Sequence, residues 1–317
     1  MKQTHKNIQN WYQKYGRLNL PWRITNDPYH IYLSEVMLQQ TQVKTVLERY
    51  YFPFLEKFPT LKALGDAPLD DVLKMWEGLG YYNRAKNLHM TATLVEELPE
   101  AIDELIKLPG IGKNTAHAVA TFAFNQPVPI MEANVKRILC RLHRLKTPKD
   151  KDLWEIAYDT VDKDNPFDYN QAMMDIGATI CNPKNPKCKL CPLNNICKGQ
   201  KEPTLYPTKK KRVVPTREQN ILINVYNDTL SLTQRKGKFL HALWGFESVE
   251  VAPCAAKYIG EVTHAYTHFK LLCKVYIYYE NSPDQIDYFS EEQIQKLAIS
   301  KVDEKIVKLY LDTIQLY

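Results

Sequence analysis

The sequence predicts a multidomain protein in which an all-α domain precedes a smaller α+β domain. The chain has 317 residues, of which 44% are apolar, and this is enough to fill two separate hydrophobic cores. Residues 1–198 repeat apolar side chains at helical spacing, as at Ile102 and Leu105. Residues 218–317 change to short apolar runs that are typical of strands. We therefore place the two domains at 1–198 and 218–317, with a linker at 199–217.

The second domain is expected to begin with strands and to end with helices. Residues 221–226 and 230–232 are predicted as two strands, and the residues between them, Asn227 and Asp228, favour a tight turn. A third strand is expected at 271–279. One or two helices are expected within 291–316, which completes an α+β pattern of about 100 residues.

Four cysteines have the spacing C-x6-C-x2-C-x5-C, and they are Cys181, Cys188, Cys191 and Cys197. Thiolates are soft ligands that suit both iron–sulfur clusters and zinc. Structural zinc sites usually pair two short C-x2-4-C motifs, and here only the middle gap is that short. The spacing therefore favours a [4Fe-4S] cluster, with zinc and unrelated free cysteines as the alternatives. The remaining cysteines, Cys140, Cys254 and Cys273, are expected to be small buried apolar residues.

The positive charge of the chain is concentrated in its first part. The formal net charge is +6. From Glu218 onward there are 10 Lys and Arg against 13 Asp and Glu, a net charge of −3, so the first 217 residues carry +9. A basic domain is expected of a protein that binds nucleic acid phosphates. The linker holds a basic run at 209–212, which is either an exposed tether or a second phosphate contact.

The string L-P-G-I-G-K at 108–113 lies between two segments with a helical pattern. Its glycines, Gly110 and Gly112, let the backbone approach a partner closely, and the next helix begins with unpaired amide donors. A phosphate fits at such a helix N-terminus, where Lys113 adds positive charge. The string therefore predicts a DNA-binding helix-hairpin-helix motif at 101–124. The alternative is an ordinary turn between helices.

Further strings in the first part of the chain are L-P-W-R at 20–23, S-E-V-M-L-Q-Q-T-Q-V at 34–43, G-L-G-Y-Y at 78–82, N-V-K-R at 134–137 and N-Q-A-M-M-D at 170–175. The second part offers L-W-G-F at 243–246 and H-A-Y-T-H-F at 264–269. With the hairpin and the cysteines, these strings resemble the endonuclease III superfamily of helix-hairpin-helix glycosylases, and within it the MutY-type adenine DNA glycosylases. The resemblance implies a monofunctional hydrolase of base excision repair, which cleaves the N-glycosyl bond of adenine mispaired with 8-oxoguanine or guanine.

The resemblance implies that two carboxylates carry this chemistry. The adenine is turned out of the duplex, because its bond to the sugar cannot be reached in the stack. Glu35 is implied as the acid that protonates the departing adenine. Apolar neighbours such as Val36 and Met37 should bury Glu35 and raise its pKa, which suits proton donation near neutral pH. The alternative for Glu35 is a surface carboxylate.

Glu132 stands where the family has an aspartate, and Ala133 stands where the family has a glycine. The negative charge that stabilises the cationic sugar is therefore kept, but one added methylene displaces it by roughly 1 Å, which can cost on the order of 100-fold in rate. Three alternatives follow: a pocket rebuilt for Glu132, a slow or redirected activity, or a site that only binds DNA.

Asn114 is a second departure, at the position where bifunctional members carry a lysine that attacks the sugar. An amide cannot form a Schiff base, so strand cleavage by that route is disfavoured. Asn114 is expected either to hydrogen-bond near Glu132 or the attacking water, or to satisfy backbone amides at a helix start.

The remaining site residues are implied by the resemblance alone. Trp22 and Arg23 correspond to the wall and the hydrogen-bonding edge of the adenine pocket, and Gln171 to a second polar reader. Gln40 and Tyr81 correspond to the residues that wedge into the stack where the base has left. Without the family context, an isolated Gln or Tyr on a helix would be expected in the core.

Thr267 and His268 correspond to the pair that inspects 8-oxoguanine, although Tyr266 replaces a phenylalanine; the alternative for His268 is a structural hydrogen-bonding role. The second domain also resembles the Nudix hydrolases that cleave nucleoside diphosphates. Their acidic box, G-x5-E-x7-R-E-x2-E-E, does not occur between Gly237 and Gly260. Without those carboxylates magnesium has no cage, so the domain is expected to read the lesion and not to hydrolyse.

The expected partner is double-stranded DNA with 8-oxoguanine:adenine or guanine:adenine mispairs, bound by a monomer. The first residues lack an apolar signal run, and no stretch approaches the roughly 20 apolar residues of a membrane span. We therefore expect no membrane association and a cytoplasmic, nucleoid-associated location in a bacterium. The rival hypotheses are a glycosylase for another base such as mismatched thymine, a non-catalytic DNA-binding protein, and an iron–sulfur redox or regulatory protein.

Overall fold

The structure is a computed structural model that describes residues 1–208, 213–281 and 287–315. It divides into two compact units, the first made of Met1–Gly65 with Met90–Lys210 and the second of Asp66–His89 with Lys211–Tyr317. The segment Asp66–His89, which we placed in the first domain, therefore groups with the second unit. The boundaries at 198 and 218 stay predictions. The basic run at 209–212 lies outside the described residues.

Helices are the regular elements of residues 1–198, all of which the structure describes, so the all-α prediction is confirmed. Short 3-10 turns at Pro21–Arg23, Cys188–Leu190, Asn194–Ile196 and Pro203–Leu205 join some of the connecting segments. In chain order the helices are α1 Lys2–Tyr15, α2 Pro28–Leu38, α3 Val43–Arg49, α4 Tyr51–Lys57, α5 Leu61–Asp66, α6 Leu69–Met75, α7 Asn83–Leu94, α8 Ile102–Leu105, α9 Lys113–Phe124, α10 Ala133–His143, α11 Asp150–Thr160 and α12 Pro166–Thr179.

Helix α2 is the central helix of the first unit and packs against α9. It begins at Pro28, which needs no amide partner at that position, and the Asp27 carboxylate accepts hydrogen bonds from the amides of Tyr29 and His30 at 2.8 and 3.2 Å. Most of its side chains are buried. A helix that is buried on most sides holds its residues in a fixed place, and Glu35 lies in its third turn.

A second core of the first unit joins α1, α10 and α12. Helix α10 has apolar residues such as Val135, Ile138 and Leu139 on one side, and these pack into this core. Three of the four clustered cysteines, Cys181, Cys191 and Cys197, pack against the same core. The cysteine loop therefore rests on the helix that begins directly after Glu132.

The second unit holds a mixed sheet with the strand order β6-β7-β1-β2-β8, in which β1 and β7 are parallel. Strand β5 pairs antiparallel with residues 220–222 of β1, which also pair with β7. Helix α14 packs on β6. The elements are β1 Thr216–Tyr226, β2 Thr229–Ser231, β3 Thr233–Gln234, β4 Trp244–Gly245, β5 Glu247–Val249, β6 Lys257–Ala265, β7 Lys270–Tyr279, β8 Tyr288–Phe289, α13 Glu291–Ile294 and α14 Lys301–Ile314.

These elements confirm the predicted α+β pattern and its three strands. Asn227 and Asp228 form the turn between β1 and β2 with φ values of 45° and 60°, a left-handed conformation that Asn and Asp adopt more readily than most residues. Among the described residues, no helix is both long and apolar enough to span a membrane. One cysteine prediction is wrong: Cys140 and Cys273 are buried as expected, but Cys254 is exposed because it lies in the loop between β5 and β6.

Candidate active site and cysteine loop

Glu35 is a partly buried carboxyl group on α2. Its pKa is raised to about 7, mainly by burial and in addition by the negative charge of Glu132, while the Arg23 guanidinium acts in the opposite direction. Two carboxyl groups from separate elements are thus close enough to influence each other. A carboxyl group with a pKa near neutral pH is half protonated there and can donate its proton. The alternative of a surface carboxylate at this position is disfavoured.

Glu132 is the residue directly before α10, and its side chain is largely enclosed. Burial raises its pKa, while the Asn134 amide groups, Arg137 and Arg17 act in the opposite direction. The Glu132 side chain makes no capping hydrogen bond at the start of α10. One carboxylate oxygen, Oε1, is buried without a hydrogen-bond partner. A buried unpaired acceptor is costly unless it serves a binding or catalytic role.

The segment that leads to Glu132 is held by two asparagine side chains. Asn170 accepts a hydrogen bond from the Ile130 amide at 2.8 Å and donates to the Val128 carbonyl at 3.0 Å. Asn114 accepts a hydrogen bond from the Met131 amide at 2.9 Å. Asn114 therefore hydrogen-bonds to the segment directly before Glu132 and not to an amide at the start of its own helix.

Arg23 is 8% exposed and forms a two-point ion pair with Asp175, with N···O distances of 2.8 and 2.9 Å. Burial opposes ionisation of Asp175, but hydrogen bonds and charge from Arg23 and Arg17 outweigh it and lower the pKa of that carboxyl group. The Arg23 Nε is buried without a partner. Trp22 is buried beside it, edge-on to Tyr51. Arg17 and Asp175 are members of this site that sequence reasoning did not assign.

A chain of hydrogen bonds joins the Glu132 region to the cysteine loop. The Arg137 guanidinium donates to Asn134 Oδ1 at 2.8 Å, to the Gly177 carbonyl at 2.7 Å and to the Cys181 carbonyl at 2.8 Å. One turn later, Arg141 donates to the Cys181 sulfur at 3.2 Å and to the carbonyl of Asn182 at 2.8 Å. Helix α10 therefore connects the second carboxylate to the loop through two arginines.

All four predicted cluster ligands line one small cavity, which Arg141 and Ile180 also border. The pKa of the Cys191 thiol is raised to about 12, mainly by burial and in addition by the other three sulfurs, so the four groups are close neighbours. Within the described ranges, no three His, Cys, Asp or Glu side chains are arranged to hold one metal ion. The donors present are four soft sulfurs facing a common cavity, together with an arginine N–H directed at one of them.

The hairpin has the geometry that its glycines predict. Gly110 has a φ of 74°, a left-handed conformation that a glycine adopts without strain. Gly112 directly precedes α9, and open space surrounds the position that a Cβ atom would take there. Lys113 is the exposed first residue of α9. The observed helices are α8 at Ile102–Leu105 and α9 at Lys113–Phe124, close to the predicted bounds.

The two predicted wedge residues share an uncommon backbone conformation. Gln40 has a φ of 59° and Tyr81 a φ of 52°. Such values are rare outside glycine and asparagine, and they often mark functional positions. Gln40 is exposed two residues after the end of α2, and Tyr81 is 41% exposed two residues before the start of α7. The core location expected of an isolated Gln or Tyr is therefore wrong for both.

Thr267 and His268 are exposed in the turn between β6 and β7, so His268 does not lie within a strand. The Thr267 hydroxyl forms a short hydrogen bond with the Tyr81 hydroxyl, within the second unit. The predicted opposite-base readers thus lie next to a predicted wedge residue. Gln171, in contrast, is 3% exposed on α12 in the first unit.

Comparison with known proteins identifies the family. Residues 33–160 match the model of the HhH-GPD superfamily of base excision DNA repair proteins. A protein of Buchnera aphidicola (subspecies Baizongia pistaciae), named adenine DNA glycosylase, is 40% identical over 245 residues, which cover 73% of this chain and 69% of that protein. The chain belongs to the adenine DNA glycosylase family. A human adenine DNA glycosylase is 30% identical over an alignment that covers 96% of this chain and 73% of that protein.

The region that matches the HhH-GPD superfamily model includes both carboxyl groups of the site described above. Residues 33–160 contain Glu35, the hairpin, Asn114 and Glu132, whereas the cysteines lie beyond them. A solved structure of a thermostable thymine-DNA glycosylase is also similar, with a TM-score of 0.58 and 28% identity, covering 63% of this chain and 98% of that one. The helical fold and the family assignment are therefore shown, while base specificity depends on the residues of the pocket.

Proposed function

We propose that this protein excises adenine mispaired with 8-oxoguanine or guanine, by hydrolysis of the N-glycosyl bond without strand cleavage. The observation that carries the proposal is the pair of carboxyl groups, Glu35 with its pKa raised to about 7 and Glu132 with a buried unpaired oxygen. The membership in the adenine DNA glycosylase family supports it.

In the proposed mechanism, adenine leaves the stack and enters the space beside Trp22 and Arg23. The Arg23 Nε is the donor available for a base, because both terminal nitrogens pair with Asp175. Glu35 gives its proton to adenine, and the bond to the sugar breaks as positive charge develops on the ring. Glu132 stabilises the charge on the sugar, water adds to the sugar, and the proton that the water loses passes to the Glu35 carboxylate. Gln171 is the second polar group proposed to read the base.

Asn114 positions the second carboxylate in this mechanism. Its side chain holds the Met131 amide, one residue before Glu132, so its effect on the reaction is indirect. An amide at this position cannot attack the sugar, which is why we propose hydrolysis alone.

DNA is the proposed partner, bound by a protein monomer. Hairpin amides at Gly110 and Gly112 and the Lys113 ammonium supply one phosphate site. The cysteine loop adds exposed lysines, and they are Lys184, Lys187 and Lys189. Gln40 and Tyr81 are the proposed wedges, and Thr267 with His268 the proposed readers of the opposite base. Exposed positive charge on the loop suits phosphate binding, which weakens as salt rises.

We propose that Cys181, Cys188, Cys191 and Cys197 hold a [4Fe-4S] cluster. A cluster gives each thiolate its own iron, whereas zinc needs all four sulfurs on one ion. Four sulfurs around a cavity and an N–H donor to one sulfur fit the cluster. When bound, it would supply a redox-capable cross-link of the loop, and no step of base removal passes through it. Purified protein should contain about four irons per chain; one zinc per chain would overturn this assignment.

The function is tested by single-turnover base release from duplexes that differ at one pair. The substrates are 8-oxoguanine:adenine, guanine:adenine and guanine:thymine, with Glu35→Gln as the matched variant because it keeps the size of the side chain. We expect adenine release from the first two and a loss of at least about 100-fold in Glu35→Gln, the lower range for general acid catalysis.

Other outcomes select the rival functions. Release of thymine from guanine:thymine would replace the adenine assignment with the activity named for the similar thymine-DNA glycosylase structure. Tight binding of the 8-oxoguanine:adenine duplex without release of any base would leave a lesion-binding protein. Reversible electron transfer in a protein without affinity for DNA would instead indicate a redox protein.

A further inference from the structure

Lys113 of the hairpin lies over two aromatic rings of α11. Its ammonium nitrogen is 4.0 Å from the centre of the Trp154 ring and 5.1 Å from that of Tyr158. We call these two residues the aromatic shelf. Both distances fall within the range of a cation–π interaction. The proposed phosphate-binding lysine is therefore already held in a defined place in the protein without DNA.

The position of Lys113 makes such support necessary. It is the first residue of α9, where the helix dipole is positive and repels a cation. Among the residues that the structure describes, no carboxylate forms an ion pair with it. The negative faces of aromatic rings attract the ammonium group without neutralising its charge. The shelf can thus keep the lysine near the helix N-terminus while leaving its positive charge available for a phosphate.

The shelf itself is anchored by His117, which is 1% exposed on α9. His117 packs edge-on against Trp154, with ring centres 5.1 Å apart. Its Nδ1 lies 2.7 Å from the Pro129 carbonyl oxygen and therefore carries the proton, which leaves Nε2 to accept a hydrogen bond from the Tyr158 hydroxyl at 3.3 Å. Trp154 also packs against the core of α1, α10 and α12. Both rings of the shelf are consequently fixed in orientation.

We propose that the aromatic shelf is a positioning element for DNA binding, which holds the Lys113 ammonium ready for a backbone phosphate at the hairpin. The shelf is half exposed, since Tyr158 is 38% exposed, and open space adjoins Gly112, so a phosphate can approach the lysine. Pre-orientation removes the entropy cost of ordering a long side chain when DNA binds. This inference rests on the proposed function only in requiring that the protein binds duplex DNA.

The test is the dissociation constant for an 8-oxoguanine:adenine duplex, measured over a range of salt concentrations. The variants are Trp154→Leu, which removes the ring, Trp154→Phe, which keeps one, and Lys113→Met, which removes the cation. Lys151→Met serves as the charge control, because Lys151 is an exposed lysine on α11, the helix that carries the aromatic shelf, and it lies beside Glu155. Thermal unfolding of each variant shows whether the fold is intact.

Trp154→Leu is expected to weaken binding about threefold to tenfold, the range for one partly exposed cation–π contact, and Trp154→Phe should retain most of the affinity. Lys113→Met should also lower the salt slope by about 0.9, the value for one lost phosphate contact. In a double variant that combines Lys113→Met with Trp154→Leu, the loss of the ring should weaken DNA binding little beyond the effect of Lys113→Met alone.

Three results would overturn the inference. The first is tighter DNA binding by Trp154→Leu, which would mean that the shelf keeps the lysine away from the phosphate. The second is an equal loss of affinity in Lys151→Met and Lys113→Met. The third is full additivity of the two losses of affinity in the double variant. Failure of the proposed function can be told apart from failure of this inference. In the first case the parent protein would release no adenine, whereas the inference is tested by the affinity for DNA alone. If Trp154→Leu is unfolded, the affinities of Trp154→Phe and Lys113→Met for the duplex are compared, and an equal loss in both would contradict the inference.

Discussion

The two carboxyl groups of the active site are held in place by different means. Glu35 lies within a regular helix, α2, whose start is fixed by Asp27 and whose other side chains are largely buried. Glu132 ends an irregular segment, where side chains from α9 and α12 hold the backbone groups. A helix places its residues through many small contacts, whereas such a segment depends on a few hydrogen bonds. Remote substitutions should therefore affect Glu132 far more than Glu35.

Glu132 itself offers the largest effect. Glu132→Gln keeps the side-chain shape and removes the charge that stabilises the sugar cation, so we expect single-turnover adenine release to fall about 100- to 1,000-fold. Glu132→Asp restores the residue of the family but withdraws the charge by roughly 1 Å, so we expect a loss of about tenfold. A faster Glu132→Asp enzyme would show that the native pocket is not built for glutamate.

Arg137 tests the connection between the cysteine loop and Glu132. Arg137→Met keeps the aliphatic stem but removes the donors to Asn134, Gly177 and Cys181. We expect adenine release to slow about tenfold and iron to be lost faster to a chelator, since both ends of the connection loosen. Lys136→Met is the matched control, because Lys136 forms an exposed ion pair with Asp150 and should change either rate less than twofold.

Asn170 tests the hydrogen bonds that hold the segment before Glu132. Asn170→Ala leaves the Ile130 amide without its partner, whereas the Val128 carbonyl still accepts a hydrogen bond from the Thr121 hydroxyl at 3.2 Å. A buried group left unpaired costs about 1–3 kcal/mol, so we expect the free energy of unfolding to fall by about 2 kcal/mol and adenine release to slow only a few-fold. The exposed Asn281 supplies the control, and equal destabilisation by Asn281→Ala would contradict this explanation.

The same contrast explains what could be predicted from the sequence. Local patterns predicted three features that the structure contains. The apolar residues around Glu35 predicted its burial, the two hairpin glycines predicted a tight turn, and the cysteine spacing predicted that the four sulfurs lie together. Asp175 could also have been found, because it lies one helical turn after Gln171 on α12 and so shares its face.

Contacts between distant parts of the chain left no such signal. The hydrogen bond from the Met131 amide to Asn114 and that between Tyr81 and Thr267 depend on how helices and strands pack. The grouping of Asp66–His89 with the second unit is of the same kind, because helical periodicity shows that a segment is helical but not what it packs against.

The central claim is that Glu35 is still partly protonated at neutral pH and donates its proton to the departing adenine. Infrared difference spectra between the parent protein and Glu35→Gln, recorded over a pH series, isolate the carboxyl band of Glu35. We predict titration with a pKa of about 7, and adenine release that declines as pH rises through that value, because the acid form is then lost. Titration near the ordinary carboxyl value of 4.5, with release unchanged from pH 6 to 8, would contradict it.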